Sequence, residues 1–124
     1  MAKPKTNDVL ESIKKDITGF ISISVVSIID GMPIAGSTTD PTGDITESSA
    51  YFTNVFNAFL KAVSVMNPTY EAEDLLITTT RFHILFRLVG ATGYYLAVVV
   101  DLSTNLGMTR IVMKKNEDLL LESL

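Results

Sequence analysis

The stretch from Asp44 to Met66, DITESSAYFTNVFNAFLKAVSVM, has the pattern of one long helix with two apolar faces. Asp44 and Glu47 predict its start, because an Asp at the cap accepts a free backbone N–H and a Glu shortly after it reaches back in a capping box. Helical spacing predicts a first apolar face made of Phe52, Val55, Phe56, Phe59, Leu60, Val63 and Met66. A second face lies about a quarter turn away and consists of Tyr51, Val55, Ala58, Ala62 and Val65.

A helix with two apolar faces needs a separate surface to pack against each face. Glu47 and Lys61 are the only charged residues between Thr46 and Met66, whereas a helix lying on one sheet normally has a charged back. A helix buried deep in a single core is the alternative, but a chain of 124 residues offers little material to cover both sides. We therefore expect the first face to pack on the chain's own sheet and the second to form a homodimer interface.

Composition limits the class of protein. The 124 residues predict a single domain spanning 1–124, with residues 1–7 and 117–124 frayed. Ten basic against fourteen acidic residues give a net charge of -4, and Lys and Arg do not cluster as a nucleic-acid-binding surface requires. The chain has no cysteine, which excludes disulfides and thiolate metal sites. Nucleic acid is therefore not an expected partner.

The termini and apolar runs argue against a membrane. The chain starts with charged and polar residues and lacks the apolar segment of a secretory signal. Its longest apolar runs, such as Leu96 to Val100, are far shorter than the ~20 residues that a membrane span needs. We expect a cytoplasmic protein without membrane insertion.

The order of the predicted elements is α-β-β-α-β-β-β-α. An amphipathic first helix ends at Gly19, an Asp-Gly turn at Asp30 joins the first two strands, and Asn67-Pro68 ends the long helix. In the first strand, Ser22 and Ser24 are expected on one face and Ile21, Ile23 and Val25 on the other. The predicted strands are Phe20 to Ile29, Met32 to Thr38, Leu75 to Arg81, Phe82 to Val89 and Tyr94 to Leu102. Short hairpins between strands predict an antiparallel sheet covered by helices, the α+β class.

Three segments resemble the roadblock family, which includes the dynein light chains of that name and bacterial gliding-motility regulators of the MglB type. The first segment begins at Ile17–Phe20, continues as an apolar strand, and ends in the Asp-Gly turn and the start of the second strand at Ile28–Ala35. The second is the long apolar helix, and the third is the sequence NLGMTR at Asn105–Arg110. Together they span about Val9 to Val112 in the family's order. This order makes the resemblance more specific than any one of the segments.

The resemblance implies a five-stranded antiparallel sheet with the long helix on one face and the terminal helices on the other. It also implies a homodimer in which the third strands join and the long helices lie side by side. The expected interface residues are Tyr51, Val55, Ala58, Ala62, Val65, Ile77, Thr79 and Arg81. The partner that the resemblance implies is a Ras-like small GTPase, whose GTP hydrolysis such a dimer stimulates in the bacterial members.

The residues do not predict an enzyme, a cofactor or a metal site. His83 is the only histidine, and no serine stands in the setting of a hydrolase nucleophile. No glycine-rich loop is followed by the Lys-Ser or Lys-Thr of a phosphate site. Arg81, Arg87 and Arg110 are candidates for an arginine finger, but salt bridges are their commoner use.

Two functions from different classes are therefore open. The first is a non-enzymatic homodimeric regulator or scaffold for a Ras-like small GTPase, with a partner surface at Asp40, Asp44, Thr46 and Glu47 on the polar loop and at the exposed start of the helix up to Ser49. The same acids could instead serve only as caps and turn residues. The second function is a small-molecule sensor of the PAS-like or profilin-like type, which would need a cavity with convergent polar groups.

Overall fold

Five strands form one antiparallel sheet in the order β2-β1-β5-β4-β3 in the computed structural model, which describes residues 3–124. The helices are α1 (Thr6–Lys15), α2 (Ser49–Met66), α3 (Leu106–Lys115) and α4 (Glu117–Ser123). The strands are β1 (Phe20–Ser27), β2 (Pro33–Thr38), β3 (Leu75–Thr78), β4 (Phe82–Leu88) and β5 (Tyr94–Asp101), and a short 3-10 helix (Pro41–Gly43) precedes α2. The α+β class and the helix–sheet arrangement are confirmed.

The middle strand, β5, separates two hydrophobic cores. Its residues from Tyr95 to Val100 are all buried, as expected for a strand that is paired on both edges and covered on both faces. Leu96, Val98 and Val100 face the core under α1, α3 and α4. The alternate residues of β5 face α2, where Phe56 fills the second core.

The first strand departs from simple alternation. We expected Ile21 on the same face as Ile23 and Val25, but Ile21 packs in the α2 core while the other two pack under α1. The pairing of β1 with β5 shifts register between Phe20 and Ser22. An extra residue at such a bulge reverses the face of the side chains before it, which accounts for the error.

The C-terminal residues are held in the fold. Fraying was expected over 117–124, but α4 occupies most of this segment and the side chain of Leu120 is buried. The Thr6 hydroxyl contacts the Ser123 carbonyl at 3.2 Å and its hydroxyl at 2.9 Å, so α4 is tied to the start of α1. Helix α1 likewise orders residues from Thr6 onwards, and the first two residues lie outside the described part of the chain.

No helix within residues 3–124 combines the length and the apolar character that crossing a bilayer requires.

Helix α2 is fixed to the sheet by an aromatic cluster. The ring of Phe56 lies 5.0 Å from that of Tyr95 and 6.1 Å from that of Phe86, between centroids. Aromatic pairs at these separations contribute about 0.5–1.5 kcal/mol beyond the burial of their area. The cluster sets how α2 is rotated against the sheet.

A chain of buried hydrogen bonds supports the same contact. The Thr53 hydroxyl donates to the Ser49 carbonyl at 2.7 Å and lies 2.8 Å from the Tyr95 hydroxyl. Since the single Thr53 proton is used on Ser49, the Tyr95 hydroxyl donates to Thr53. Burial raises the pKa of Tyr95 above its usual value, so the phenol keeps this proton. The Ser49 hydroxyl in turn donates to the Gly31 carbonyl at 2.7 Å, which ties α2 to the β1–β2 turn.

We predict that Thr53→Val and Tyr95→Phe are strongly coupled. Thr53→Val leaves a buried phenol without an acceptor and should lower the free energy of unfolding by about 1–3 kcal/mol. Tyr95→Phe should cost less, and the double variant should cost clearly less than the sum of the two. Urea denaturation of the four proteins measures this, with Tyr94→Phe as a control at the next residue. Additive losses would contradict the assignment of this hydrogen bond.

Candidate functional site

The second face of α2 is open to solvent in the single chain. Tyr51 is 75% exposed and Val65 is 72% exposed, and Val55, Ala58 and Ala62 between them are also exposed. The opposite side of the helix packs on the sheet through Phe56 and its neighbours, so one of the two predicted apolar faces is confirmed as a core face. Val55 and Met66 were assigned to that core face, and the assignment is wrong because both side chains are exposed.

The edge strand β3 lies beside this helix and is shorter than predicted. It ends at Thr78, whereas the sequence predicted a strand to Arg81. Thr79 closes a tight turn, since its backbone N–H donates to the Phe82 carbonyl at 2.9 Å and its hydroxyl accepts from the Arg81 N–H at 3.1 Å. Ile77 is therefore in the strand and packs towards α2, while Thr79 and Arg81 lie at the exposed hairpin tip.

The loop before α2 uses its acids differently from the prediction. Asp44 accepts from the Thr46 backbone N–H at 3.0 Å and from its hydroxyl at 2.6 Å, so it closes a local turn. The predicted capping box is wrong, because α2 begins at Ser49 and its cap residue Ser48 makes no side-chain capping bond. The side chain of Ile45 is buried, so the loop lies over the sheet before α2 begins.

Asp40 closes an equivalent turn at the other end of the loop. It accepts from the Thr42 hydroxyl at 2.7 Å and from its backbone N–H at 3.0 Å. These bonds, with the positive charge of Arg81, hold the pKa of Asp40 below its usual range, so the carboxylate is ionised at neutral pH. The loop acid and the β3–β4 hairpin tip therefore lie at the same end of the sheet.

Three of the four predicted partner residues form an exposed acidic surface with Asp40 beside them. Asp44, Thr46 and Glu47 are exposed and Asp40 is partly exposed. From Asp16 to Leu60 the chain has five acidic residues and no Lys or Arg, so no base within that segment neutralises them. Ser49, which was expected to be exposed with them, is buried. We call this surface the acidic loop.

A groove that sequence reasoning missed runs between the acidic loop and the β1–β2 pair. Its volume is about 380 Å³, and its lining includes Ser22, Ser24, Gly36 and Asp44. Ser24 is only 6% exposed, and its hydroxyl makes no hydrogen bond within the described residues. The sequence signal was the run of small residues that faces across the two strands, with Ser24 opposite Gly36.

Two of the three arginines considered as candidate arginine fingers form structural ion pairs. Arg110 lies 3.0 Å from the Asp74 carboxylate, and Arg87 lies 3.5 Å from that of Glu117. Both pairs tie the C-terminal helices to the rest of the fold, and His83 pairs with the Thr78 hydroxyl at 2.7 Å across two strands. Residues 3–124 contain no group of three or more side chains placed to hold a metal ion.

The space between α2 and the sheet is filled by the aromatic cluster, so the middle of the helix covers packed side chains. A cavity of about 620 Å³ lies instead at the end of the sheet, between the C-terminal part of α2 and Arg87. The geometry thus leaves the cavity at the end of the sheet, and not the space beneath the middle of α2, as the place for a ligand.

Sequence comparison alone finds no relative, since no protein-family model and no curated protein matches the chain. Solved structures do match it. MglB of Myxococcus xanthus superposes with a TM-score of 0.80 at 22% identity and covers 96% of both chains. A Roadblock/LC7 domain of Streptomyces avermitilis gives 0.79 at 12% identity and 93% coverage of both chains. The gliding protein MglB of Thermus thermophilus gives 0.77 at 15% identity, over 93% of this chain and 84% of that one.

These neighbours agree with the resemblance carried by Ile28–Ala35, the long helix and Asn105–Arg110, and they extend it over almost the whole chain. At such identities the comparison speaks for the fold. The chain has the roadblock fold.

Proposed function

We propose that this protein is a non-enzymatic, homodimeric regulator or scaffold that binds a Ras-like small GTPase in the cytoplasm. The observation that carries the proposal is the exposed second face of α2, and the outer edge of β3 at the end of the sheet is the second feature that a partner copy could cover. The fold shared with MglB proteins supports a partner of the GTPase class, because that is the partner the family resemblance implies.

The homodimer is supported by the apolar area that a single chain leaves exposed. Burying one Val or Leu side chain is worth roughly 1.5–3 kcal/mol. An isologous contact buries each residue of the face twice, so Tyr51, Val55 and Val65 with their partners can outweigh an association cost of about 4–15 kcal/mol. Pairing of β3 with β3 of a second copy would also satisfy the edge groups that the four residues of β3 leave open.

The GTPase-binding surface is proposed at the acidic loop. A dimer brings two copies of this loop into one assembly and so doubles the negative charge from Asp40, Asp44 and Glu47. Such a surface suits a basic rim on the partner and speeds its association. Two of the three candidate arginines are used in ion pairs and Arg81 lies at the exposed hairpin tip, so stimulation of hydrolysis is an activity to be measured beside binding.

We predict that Ala58→Glu converts the protein to a monomer. The change places a charge in the middle of the exposed face, where a dimer would bury it without a partner. Sedimentation at micromolar concentration should give a dimer for the unchanged chain and a monomer for the variant, with the monomer still folded. Ser64→Glu adds the same charge to the same helix roughly 120° away and should stay dimeric. A monomeric unchanged chain, or a dimeric Ala58→Glu variant of equal stability, would refute the proposed interface.

Binding to a GTPase should depend on the nucleotide. We expect the dimer to retain a co-encoded Ras-like GTPase loaded with GTP at least tenfold more tightly than the same GTPase loaded with GDP. Pull-down and titration calorimetry measure the affinities, and single-turnover hydrolysis measures any rate increase. The Ala58→Glu monomer is the control for dimer dependence. Equal or absent binding of both nucleotide forms would contradict the function proposed here.

Neutralising the acidic loop should weaken that binding without loosening the fold. Asp40→Asn and Asp44→Asn keep the acceptor oxygens used by Thr42 and Thr46 and remove only the charge. Each should lower the GTPase affinity several-fold at low salt, with the difference shrinking at high salt. Asp118→Asn, on exposed α4, is the control. If both loop variants keep the GTPase affinity and the melting temperature of the unchanged chain, the acidic loop is not the binding surface. The face of the sheet that the terminal helices cover would then be the next candidate.

A further inference from the structure

The second edge of the sheet, β2, presents unpaired backbone groups to solvent. Thr39 donates to the Ile21 carbonyl at 2.8 Å, and Ile23 stands opposite Ser37 in the same ladder. In an antiparallel pair, alternate residues bond to the neighbouring strand. The N–H and C=O groups of the residues between them, Gly36 and Thr38, therefore point away from β1 towards the free side, while Ile34 is the extra residue at a register shift and falls outside this alternation.

Only the start of this edge carries features that block pairing. Pro33 begins the strand and a register shift follows it at Ile34, whereas Ala35 to Thr38 include no proline and no charged side chain. The far face of the strand is already used, because Ala35 packs into the core beneath α1. The near face opens into the groove beside the acidic loop. An added strand would thus meet open hydrogen-bonding groups on one side and an open groove above.

The groove is suited to a cationic side chain. Its floor is formed by Ser22 and Ser24, whose side chains are small and almost fully buried, and Gly36 leaves further room. Asp44 stands on the wall of the groove, and Asp40 follows β2 by two residues. Arg81 lies close enough to Asp40 to help lower its pKa, so Asp44 is the carboxylate that the groove offers to a cation.

We propose that β2 accepts an extended basic segment of a partner protein as a sixth strand. The main chain of that segment pairs with Gly36 and Thr38, and one of its Lys or Arg side chains lies in the groove beside Asp44. This mode of recognition takes affinity from main-chain hydrogen bonds and specificity from a pocket for alternate side chains. The proposal deepens the proposed function, since the acidic loop is common to both.

The two edges of the sheet permit both contacts at once. Strand β3, the edge assigned to the homodimer, lies at the opposite side of the sheet from β2. A dimer joined through β3 therefore keeps two free β2 edges, one for each copy of the partner segment. The β2 contact does not compete with dimerisation.

The test uses a synthetic array of seven-residue peptides with Lys or Arg at alternate positions and Val or Thr between them, alongside a matched array with Glu in place of the bases. We expect binders only in the basic array. The strongest binder is then titrated into the 15N-labelled protein. Amide shifts should centre on Gly36 and Thr38, and N-methylation of the peptide's pairing amides should weaken binding at least tenfold.

Asp44→Asn should weaken the same peptide several-fold, while Asp118→Asn should leave its binding unchanged. The proposal is overturned if no basic peptide binds, if the shifts centre on α2 or α3, or if N-methylation has no effect. The protein could also form oligomers larger than a dimer that disappear in a Gly36→Pro variant. That result would assign the β2 edge to another copy of this chain and would likewise overturn the proposal. The array contains no GTPase, so its outcome is separate from that of the nucleotide-dependent binding experiment.

Discussion

The packing of Phe56 against Tyr95, fixed by the hydrogen bond from Tyr95 to Thr53, is the contact on which the rest of this structure depends. It holds α2 at one rotation about its own axis, with the phenylalanine side on the sheet and the Tyr51–Val65 side in solvent. A rotation of one residue, about 100°, would bury the second face and expose the aromatic rings. The surface offered to other molecules is thus decided inside the core.

The same contact positions the loop before the helix. Ser49 bonds to Gly31 at the β1–β2 turn, and Ile45 is buried over the sheet, so the segment between β2 and α2 must cross the end of β1. Its acids then close local turns with Thr42 and Thr46 and remain at the surface. The proposed partner surface is a consequence of where the helix is anchored.

Sequence periodicity was sufficient for the elements and the class of fold, because both depend on local patterns. The two-faced helix, the hairpins and the central strand were all visible in the spacing of apolar residues. The predictions that were wrong concern single residues with more than one possible hydrogen bond or orientation. Asp44 bonds to Thr46 and does not cap the helix, and Thr79 closes a turn and does not continue β3. A bulge places Ile21 on the opposite face of β1 from the predicted one. The groove beside Ser24 was missed because it exists only once the loop crosses the sheet.

Single-cysteine cross-linking tests whether the outward face of α2 is a self-complementary interface between two copies of the chain. The natural sequence has no cysteine, so a cysteine placed at Val55, Ala58 or Ala62 can pair only with the same position of a second copy. At least one of these variants should form a disulfide-linked dimer rapidly on mild oxidation, while Ser64→Cys should not. Cross-linking that is equal at Ser64, or absent from all three positions on the face, would contradict such an interface.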